Sequence, residues 1–347
     1  MKILHIDSGL GNQMLGYCEY LAMQMSNPGD VCCIETLIYE IPEFNATISQ
    51  WNGYELERVF GIKEPNLKDL ISESDYQKLK DDLIESECWK KNWNFSPYLS
   101  ESLKSIGIDV INNCYVKDEN AQMKHSFIID LIRKMGYDVW KYRRGLDRQK
   151  KDVEAYIKRY DDRKTLFYKT DKNVLSGQRF SFIHTGNDIE LIDKRIRESF
   201  VFPPITDDKN KRLVEQLQQE QSVAIHARRG DMLTRSGVYY SGGYFKRAVK
   251  YIKQHVEDPT FYFFSDPGSC EWCMDHLSVF GLTKEDKITC VNWNKGLESY
   301  RDMQLMAQCK HNIVTNSSFG WWGAYLNENP SKITCSPDYS YLTTHHF

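Results

Sequence analysis

The stretch Ser222-Val223-Ala224-Ile225-His226-Ala227-Arg228-Arg229-Gly230-Asp231 decides the fold of the second half of this chain. Its first half is apolar and is typical of a buried strand, whereas its second half is charged. Charged residues that directly follow a strand lie at the carboxyl edge of the sheet, where open α/β sheets bind their ligands. Two adjacent arginines at that edge indicate an anionic ligand, because a guanidinium binds phosphate oxygens through a fork of N–H groups and stays charged.

The alternation of side chains along an extended chain predicts how this motif is arranged. His226 and Arg228 should share one face, and Arg229 should point to the other. We interpret Arg229 and Asp231 as a structural pair, although Asp231 is also a candidate for the site. The alternative, a surface cluster of ion pairs, fits the position at the ligand edge less well.

The remainder of the second half alternates strands with helices, which predicts a parallel sheet covered by helices. Strands are predicted at 260–265, 287–291, 312–315 and 333–335, and helices at 243–255, 271–280, 298–309 and 319–327. Phe202-Pro203-Pro204 breaks the chain ahead of this region. We therefore predict an N-terminal α/β domain with a helical insertion over 1–204 and a C-terminal domain over 205–347.

The N-terminal segment has the pattern of one βαβ unit. A predicted strand over 2–7 is followed by the turn Ser8-Gly9-Leu10-Gly11, a helix over 12–26 and a strand over 31–34. This turn also lies at the carboxyl edge of its strand, where ligands bind. Residues 60–200 are less regular, with helical spacing at 69–88 and 147–160.

A second candidate site is the run Thr315-Asn316-Ser317-Ser318-Phe319-Gly320-Trp321-Trp322-Gly323-Ala324. Small hydroxyl residues open a helix here, and the backbone N–H groups of a helix start bind phosphate well. The serines could instead be ordinary N-caps. Consecutive tryptophans are not expected to face the core together, so one of them is a candidate for lining the site. Asn316-Ser317-Ser318 also fits an N-glycosylation acceptor, but a glycan would block the phosphate site.

Composition excludes several classes of protein. The 347 residues carry a formal net charge of −3, which gives no electrostatic case for a nucleic-acid or membrane-surface protein. Neither a leader nor an apolar run of membrane-spanning length is visible, so we predict a bacterial cytoplasmic enzyme, at most peripheral to the inner membrane. Ten cysteines are too few for a disulfide-stapled secreted domain. Cys270 and Cys273 are interpreted as neighbouring helix thiols in a reducing compartment rather than a redox or zinc motif.

These motifs together resemble glycosyltransferase family 11, the α-1,2-fucosyltransferases. The resemblance rests on Gly9-Leu10-Gly11-Asn12-Gln13-Met14, the motif from His226 to Asp231, and the block from Asp302 to Leu326. It implies a GT-B-like α/β fold, in which two Rossmann-like domains face a central cleft, and transfer of L-fucose from GDP-fucose. The stretch from about 40 to 200 resembles no family.

The resemblance also implies roles for individual residues. Arg228 should bind the donor diphosphate and carry catalysis together with Asn12, which is expected near the reacting carbon, and Asp231. The remaining donor-binding candidates are His226 and Asp302 at the nucleoside, with Asn316, Ser317, Ser318, Ser265 and Gly11. Gln13 and Trp321 are candidates for the acceptor side. Asp231 and Glu19 are candidates for the general base.

No cofactor or metal is expected, because the family uses none and the chain has no Asp-x-Asp motif. The expected partners are GDP-fucose and a galactose-containing oligosaccharide or lipid-linked glycan, fucosylated with inversion at the 2-hydroxyl. The sequence departs from the family pattern at Leu15-Gly16-Tyr17, Met232 and Pro267, which leaves the acceptor unassigned. Two alternatives remain open: a transferase of another GDP-sugar on the same scaffold, and a GDP- or glycan-binding protein without catalysis.

Overall fold

The computed structural model describes residues 1–43, 52–91, 93–114, 116, 168–177, 191–230, 239–240, 243–337 and 344–346. The described residues up to Pro203 form one compact unit, and those from Pro204 onward form a second. Each unit is an α/β structure built on its own sheet. The predicted helix at 147–160 lies outside the described residues, and the facing of two domains across a cleft stays a prediction.

The N-terminal unit is built on four parallel strands in the order β2-β1-β4-β3. Ile3 in the central strand pairs with Cys33 on one side and Leu175 on the other, and all three are fully buried. The strands are β1 Lys2–His5, β2 Cys32–Glu35, β3 Ile111–Asn112 and β4 Val174–Ser176. The predicted βαβ unit over the first 34 residues is confirmed.

The helices of this unit cover the sheet with apolar residues. Ser72 begins the helix at Glu73 by accepting a hydrogen bond from the Asp75 backbone N–H, which is a normal N-cap. The described helices are α1 Leu10–Ser26, α2 Leu56–Phe60, α3 Glu73–Ser86, α4 Phe95–Ser105 and α5 Asp193–Ser199, with short 3-10 turns at Leu37–Glu40, Leu67–Asp69 and Cys88–Lys90.

The C-terminal unit is built on six strands in the order β10-β9-β8-β5-β6-β7. The strands are β5 Gln221–Ala227, β6 Pro259–Ser265, β7 Lys287–Val291, β8 His311–Ile313, β9 Thr334–Pro337 and β10 Thr344–His346. The first five pair in parallel as predicted, whereas β10 was not predicted and pairs antiparallel to β9. Strand β5 is central, so the residues that follow it emerge in the middle of the sheet edge.

One helix precedes β5, and the others lie between the strands in chain order. The helices are α6 Asp208–Gln219, α7 Tyr244–His255, α8 Ser269–Asp275, α9 Leu277–Phe280, α10 Tyr300–Gln308 and α11 Ser318–Tyr325, with a 3-10 turn at Gly296–Glu298. The core beneath them includes Val223 and Ile225 of β5 and Phe261 and Phe263 of β6, all fully buried.

The predicted helix over 271–280 is wrong in one respect, since it is two helices that separate at His276. The His276 ring stacks on Trp272 at 4.2 Å, and its Nδ1 lies 2.8 Å from the Trp272 carbonyl oxygen. The backbone N–H of His276 donates to Cys273 instead of to that carbonyl. The side chain therefore competes for the acceptor that would continue the helix.

A disulfide joins Cys270 of α8 to Cys290 of β7. The interpretation of Cys270 and Cys273 as two neighbouring thiols is therefore wrong for Cys270, while Cys273 is a free buried thiol. Disulfides persist mainly in oxidising surroundings, so this bond is at odds with the predicted reducing compartment. Within the described residues, no helix combines the length and apolar character needed to span a membrane.

Candidate functional site

The two motifs singled out in the sequence meet at one edge of the C-terminal sheet. Strands β5 and β8 are direct neighbours, with Ile225 opposite Ile313. Arg228 follows the end of β5, and Ser317 precedes helix α11 just beyond the end of β8. Because parallel strands end at the same edge, the arginine motif and the serine motif lie side by side.

His226 joins these two motifs. Its side chain is buried at 4% exposure, and its ring lies 5.8 Å from that of Phe319. A Cβ atom placed on Gly320 would lie only 2.4 Å from His226 Nδ1, so the imidazole packs directly on the first turn of α11. Burial, and secondly the charge of Arg228, lower the pKa of His226 to about 4. The ring is therefore neutral at pH 7.

Arg228 is held by a buried carboxylate. Its Nη1 lies 3.1 Å from Oδ1 of Asp266, whose side chain is 2% exposed. The arginine side chain itself is 24% exposed, so the guanidinium lies between the carboxylate and the solvent. Tyr240 Oη donates to the carbonyl oxygen of Arg228 at 2.9 Å, which fixes the backbone as well. The guanidinium is thus held in place before any ligand binds.

Arg229 packs on aromatic rings. Its guanidinium carbon lies 3.2 Å from the ring centre of Trp272 and 5.2 Å from that of Tyr240. These are cation–π contacts, which favour this position of the charged side chain. Asp231, predicted as its partner and as a catalytic candidate, lies outside the described residues.

The start of helix α11 offers donors for an anion. Ser317 occupies the N-cap position, but its side chain makes no capping hydrogen bond. The N–H groups of the first turn have no acceptor within the helix. Asn316 is exposed, and Ser317 and Ser318 are half-buried.

Several buried polar atoms at this edge lack a hydrogen-bond partner among the described residues. They include Oγ of Ser265, Nδ1 of His226 and Oγ1 of Thr315, and His226 and Thr315 are 4% and 3% exposed. Orphan buried polar atoms are uncommon, and a bound ligand is one way to satisfy them. They support the assignment of this edge as a binding site.

Both tryptophans of α11 are buried, which corrects the expectation that only one would face the core. Trp322 is fully buried, and Trp321 is 8% exposed and stacks on Tyr325 at 4.9 Å. The physical reason is the pair of glycines in the helix. Gly320 lies against His226 and Gly323 against Met306, so α11 is enclosed on more than one side. The role of Trp321 toward an acceptor stays a prediction.

Asp302 belongs to a chain of amide side chains at the same sheet edge. Asn294, just beyond β7, donates from Nδ2 to Asp302 Oδ1 at 2.7 Å and accepts at 2.8 Å from Asn210. Asn210 in turn donates to Asp207 at 2.9 Å. Asn294 thus fixes one carboxylate oxygen of Asp302, which is the arrangement a positioned acceptor for a nucleobase requires.

Burial raises the pKa of Asp302 to about 7, against the opposing hydrogen bond from Asn294. Between about pH 4 and pH 7 the folded protein holds a proton that the unfolded chain releases, so this residue lowers the free energy of unfolding as pH rises. We expect the free energy of unfolding of Asp302→Asn, measured with urea, to fall less steeply across this pH window. Asp286→Asn is the control, because the pKa of Asp286 is lowered and it titrates below the window. An unchanged pH slope in Asp302→Asn would contradict the assignment.

The candidates Gly11, Asn12 and Gln13 lie in the first turn of α1 in the N-terminal unit. Gln13 is fully buried; its Nε2 donates to the carbonyls of Ser8 and Gly53, both at 2.9 Å, and its Oε1 accepts from Glu55 N–H at 2.8 Å. In this structure it holds the turn after β1, so its predicted contact with an acceptor stays a prediction.

That turn is strained, because Ser8 has a left-handed φ of 65°. Non-glycine residues adopt this conformation at some cost, and such strain often occurs at functional sites. Gly11 is buried and Asn12 half-buried. The approach of Asn12 to the donor stays a prediction.

Glu19, a candidate for the general base, is buried at 1% exposure and accepts a hydrogen bond from Ser176 Oγ at 2.6 Å. A carboxylate in this position has no access to an acceptor hydroxyl at the surface. The structure therefore argues against Glu19 as the base.

Sequence reasoning missed two residues of the site, Asp266 and Asn294. Asp266 directly follows β6, so the rule that selected Arg228 indicates it as a candidate but does not reveal its contact with Arg228. Asn294 lies three residues beyond the end of β7, where that rule does not apply. Ser265, which was selected, ends β6 opposite Ala227 and is half-buried. Among the described residues, no group of three or more His, Cys, Asp or Glu side chains is arranged to hold a metal ion. Metal independence stays a prediction.

The C-terminal unit is similar to a known protein family. Residues 204–340 match the model of Glycosyl transferase family 11. An alpha-1,2-colitosyltransferase of Escherichia coli is 31% identical over 150 residues, which are 42% of this chain and 49% of that protein. Galactoside alpha-(1,2)-fucosyltransferase 1 of Homo sapiens is 30% identical over 109 residues, 30% of this chain and 28% of that protein. The chain thus spans less than half the length of these curated relatives.

Among solved structures, NodZ alpha-1,6-fucosyltransferase soaked with GDP-fucose has a TM-score of 0.46 and 11% identity, with 100% of this chain and 98% of that chain covered.

Proposed function

We propose that this chain, which matches the model of Glycosyl transferase family 11 over residues 204–340, is a member of that family and an inverting α-1,2-fucosyltransferase. It transfers L-fucose from GDP-β-L-fucose to the 2-hydroxyl of a galactose-type residue on a glycan. The alpha-1,2 linkage in the names of two relatives supports this choice of linkage.

One observation carries the proposal: Arg228 and the start of α11 lie side by side, joined by the packing of His226 on Gly320. A diphosphate needs several donors that converge from different elements. Here a guanidinium offers a charged fork, and the helix start offers backbone N–H groups and the positive end of its dipole. Ser317 and Ser318 add hydroxyl donors.

The nucleoside is assigned to the same edge. Asp302, fixed by Asn294, is suited to accept from the N1–H and N2–H₂ groups of guanine, a donor pair that adenine lacks. His226 is neutral at pH 7 and can contact the nucleoside without repelling Arg228. In this proposal the arrangement favours GDP over ADP.

The mechanism follows from the charge that develops on GDP as the glycosidic bond breaks. Conversion of a β-linked donor into an α-linked product is a single in-line displacement. Arg228 and the N–H groups of α11 stabilise the departing diphosphate, and because they are preorganised they act without a metal in this proposal. Asn12 remains the candidate that the family resemblance implies for the reacting carbon. The base for the acceptor hydroxyl is unassigned, with Asp231 as the remaining candidate.

A second donor is favoured by one observation, the similarity to a colitosyltransferase. Colitose is the 3-deoxy counterpart of fucose, so a GDP-colitose donor would present the same diphosphate and nucleoside to this site. The two donors differ only where the sugar ring lies.

The test is a donor panel with the purified chain, excess chelator and a set of β-galactosides, followed by GDP release and product mass. GDP-fucose should give a product heavier than the acceptor by one fucosyl group, and GDP-mannose should give none. Faster turnover of GDP-colitose would assign the second donor. Binding of GDP with no transfer from any GDP-sugar would contradict the proposal and favour a binding protein.

A further inference from the structure

We propose that Asp266 is the positioning residue that holds Arg228 in its diphosphate-binding orientation, an inference that rests on the proposed function. Strand register places it there. Ala227 at the end of β5 lies opposite Ser265 at the end of β6, so the next residues, Arg228 and Asp266, emerge side by side.

Both carboxylate oxygens of Asp266 are used. Oδ1 pairs with Arg228 Nη1 at 3.1 Å. Oδ2 accepts from the backbone N–H groups of Arg229 at 2.5 Å and Gly230 at 2.8 Å. One side chain therefore fixes the guanidinium and the backbone of the loop that carries it.

Burial shows which side of the arginine the carboxylate occupies. The side chain of Asp266 is 2% exposed, whereas that of Arg228 is 24% exposed. The carboxylate lies behind the guanidinium, and the exposed part of the guanidinium is what a ligand meets. A negative charge next to a phosphate site would ordinarily repel the ligand. Here it is shared among one cation and two N–H donors, which reduces the repulsion.

The arrangement has an energetic consequence for donor binding. A free arginine side chain loses rotamer freedom when it binds phosphate, and this loss weakens binding. Asp266 restricts that freedom in the unliganded protein. The contribution of Asp266 to binding affinity should therefore depend on Arg228 and on the presence of a phosphate in the ligand. A purely structural carboxylate would show neither dependence.

The experiment is a double-mutant cycle by calorimetry on the full chain, with GDP and guanosine as ligands and Asp266→Asn, Arg228→Ala and the double variant. Asparagine keeps the size and an acceptor oxygen but removes the charge. Asp266→Asn should weaken GDP binding about tenfold, the usual scale of one charge-assisted hydrogen bond, and guanosine binding less than about twofold. In the Arg228→Ala background it should change GDP binding less than about twofold.

The matched control is Asp286→Asn. Asp286 pairs with Lys253 at 2.5 Å and accepts from Thr283 N–H at 2.7 Å, the same type of arrangement, but it precedes β7 at the other edge of the sheet. The Asp286→Asn variant should leave GDP binding unchanged. Asp266→Glu, which keeps the charge, should recover part of the GDP affinity and serves if the asparagine variant does not fold.

The outcomes separate this inference from the proposed function. Equal losses for GDP and guanosine, or a loss that adds to that of Arg228→Ala, would overturn the role of Asp266. If Arg228→Ala itself bound GDP normally, the diphosphate site of the proposed function would be wrong instead.

Discussion

Arg228→Ala is expected to lower kcat by about 10²–10³-fold at saturating donor, because it removes a preorganised charge from the departing diphosphate. The adjacent cation, Arg229, packs on the Trp272 ring and is therefore not positioned to replace the Arg228 guanidinium. Arg228→Lys keeps the charge but loses the planar fork. Its kcat should therefore fall between those of the wild type and the alanine variant, as measured by initial rates of GDP release.

Asp266 is left without its cation in Arg228→Ala but retains its two backbone donors, so the fold should persist. Thermal unfolding checks this directly. Arg212→Ala is the control, because Arg212 is exposed on α6. It should leave kcat and the unfolding temperature unchanged. Turnover of Arg228→Ala near that of the wild type would rule out leaving-group stabilisation by this residue.

Gly320→Ala is the second variant with a large expected effect. The new Cβ would lie 2.4 Å from Nδ1 and 2.8 Å from Cγ of His226, both too close for atoms in contact. The His226 ring is buried, so either it or the first turn of α11 must move. Displacement of catalytic groups by about 1 Å can cost about 10²-fold in rate. We expect a loss of that size in kcat/KM for GDP-fucose, with weaker GDP binding.

The neighbouring glycine provides a matched control. A Cβ on Gly323 would lie 2.8 Å from Met306 Cβ, so Gly323→Ala overpacks the same helix without touching His226. Both variants should lose about 1–3 kcal/mol of stability, the usual cost of overpacking. Only Gly320→Ala should weaken donor binding by more than its loss of stability explains. Equal losses in the two variants would show that the contact with His226 has no part in the site.

Much of the fold follows from hydrophobic periodicity. Strand β7 has the predicted bounds, and β5 and β6 extend the predicted strands by one or two residues, because apolar runs between polar loops leave few alternatives. Strand β4, central in the N-terminal sheet, was not predicted. Three apolar or small residues carry no periodicity, and only its pairing with β1 and β3 identifies it.

The site was predictable where polar residues lie among the last residues of a strand or directly follow it, as His226 and Arg228 do at the end of β5. It was not predictable where a side chain serves another side chain. The contact of Asp266 with Arg228 depends on the register of β5 against β6. The contact of Asn294 with Asp302 depends on the position of α10. Gln13 lies in a recognisable motif, but the motif gave no sign that its side chain holds the Ser8 turn.

The account is tested most directly by the structure of the product. The purified chain would be incubated with GDP-fucose, chelator and a β-galactoside acceptor, and the product examined by NMR. The account predicts an α-linked fucose on the 2-hydroxyl of galactose, formed by the wild type and lost in Arg228→Ala. A β-linked product, attachment at another hydroxyl, or equal yields from the two proteins would contradict it.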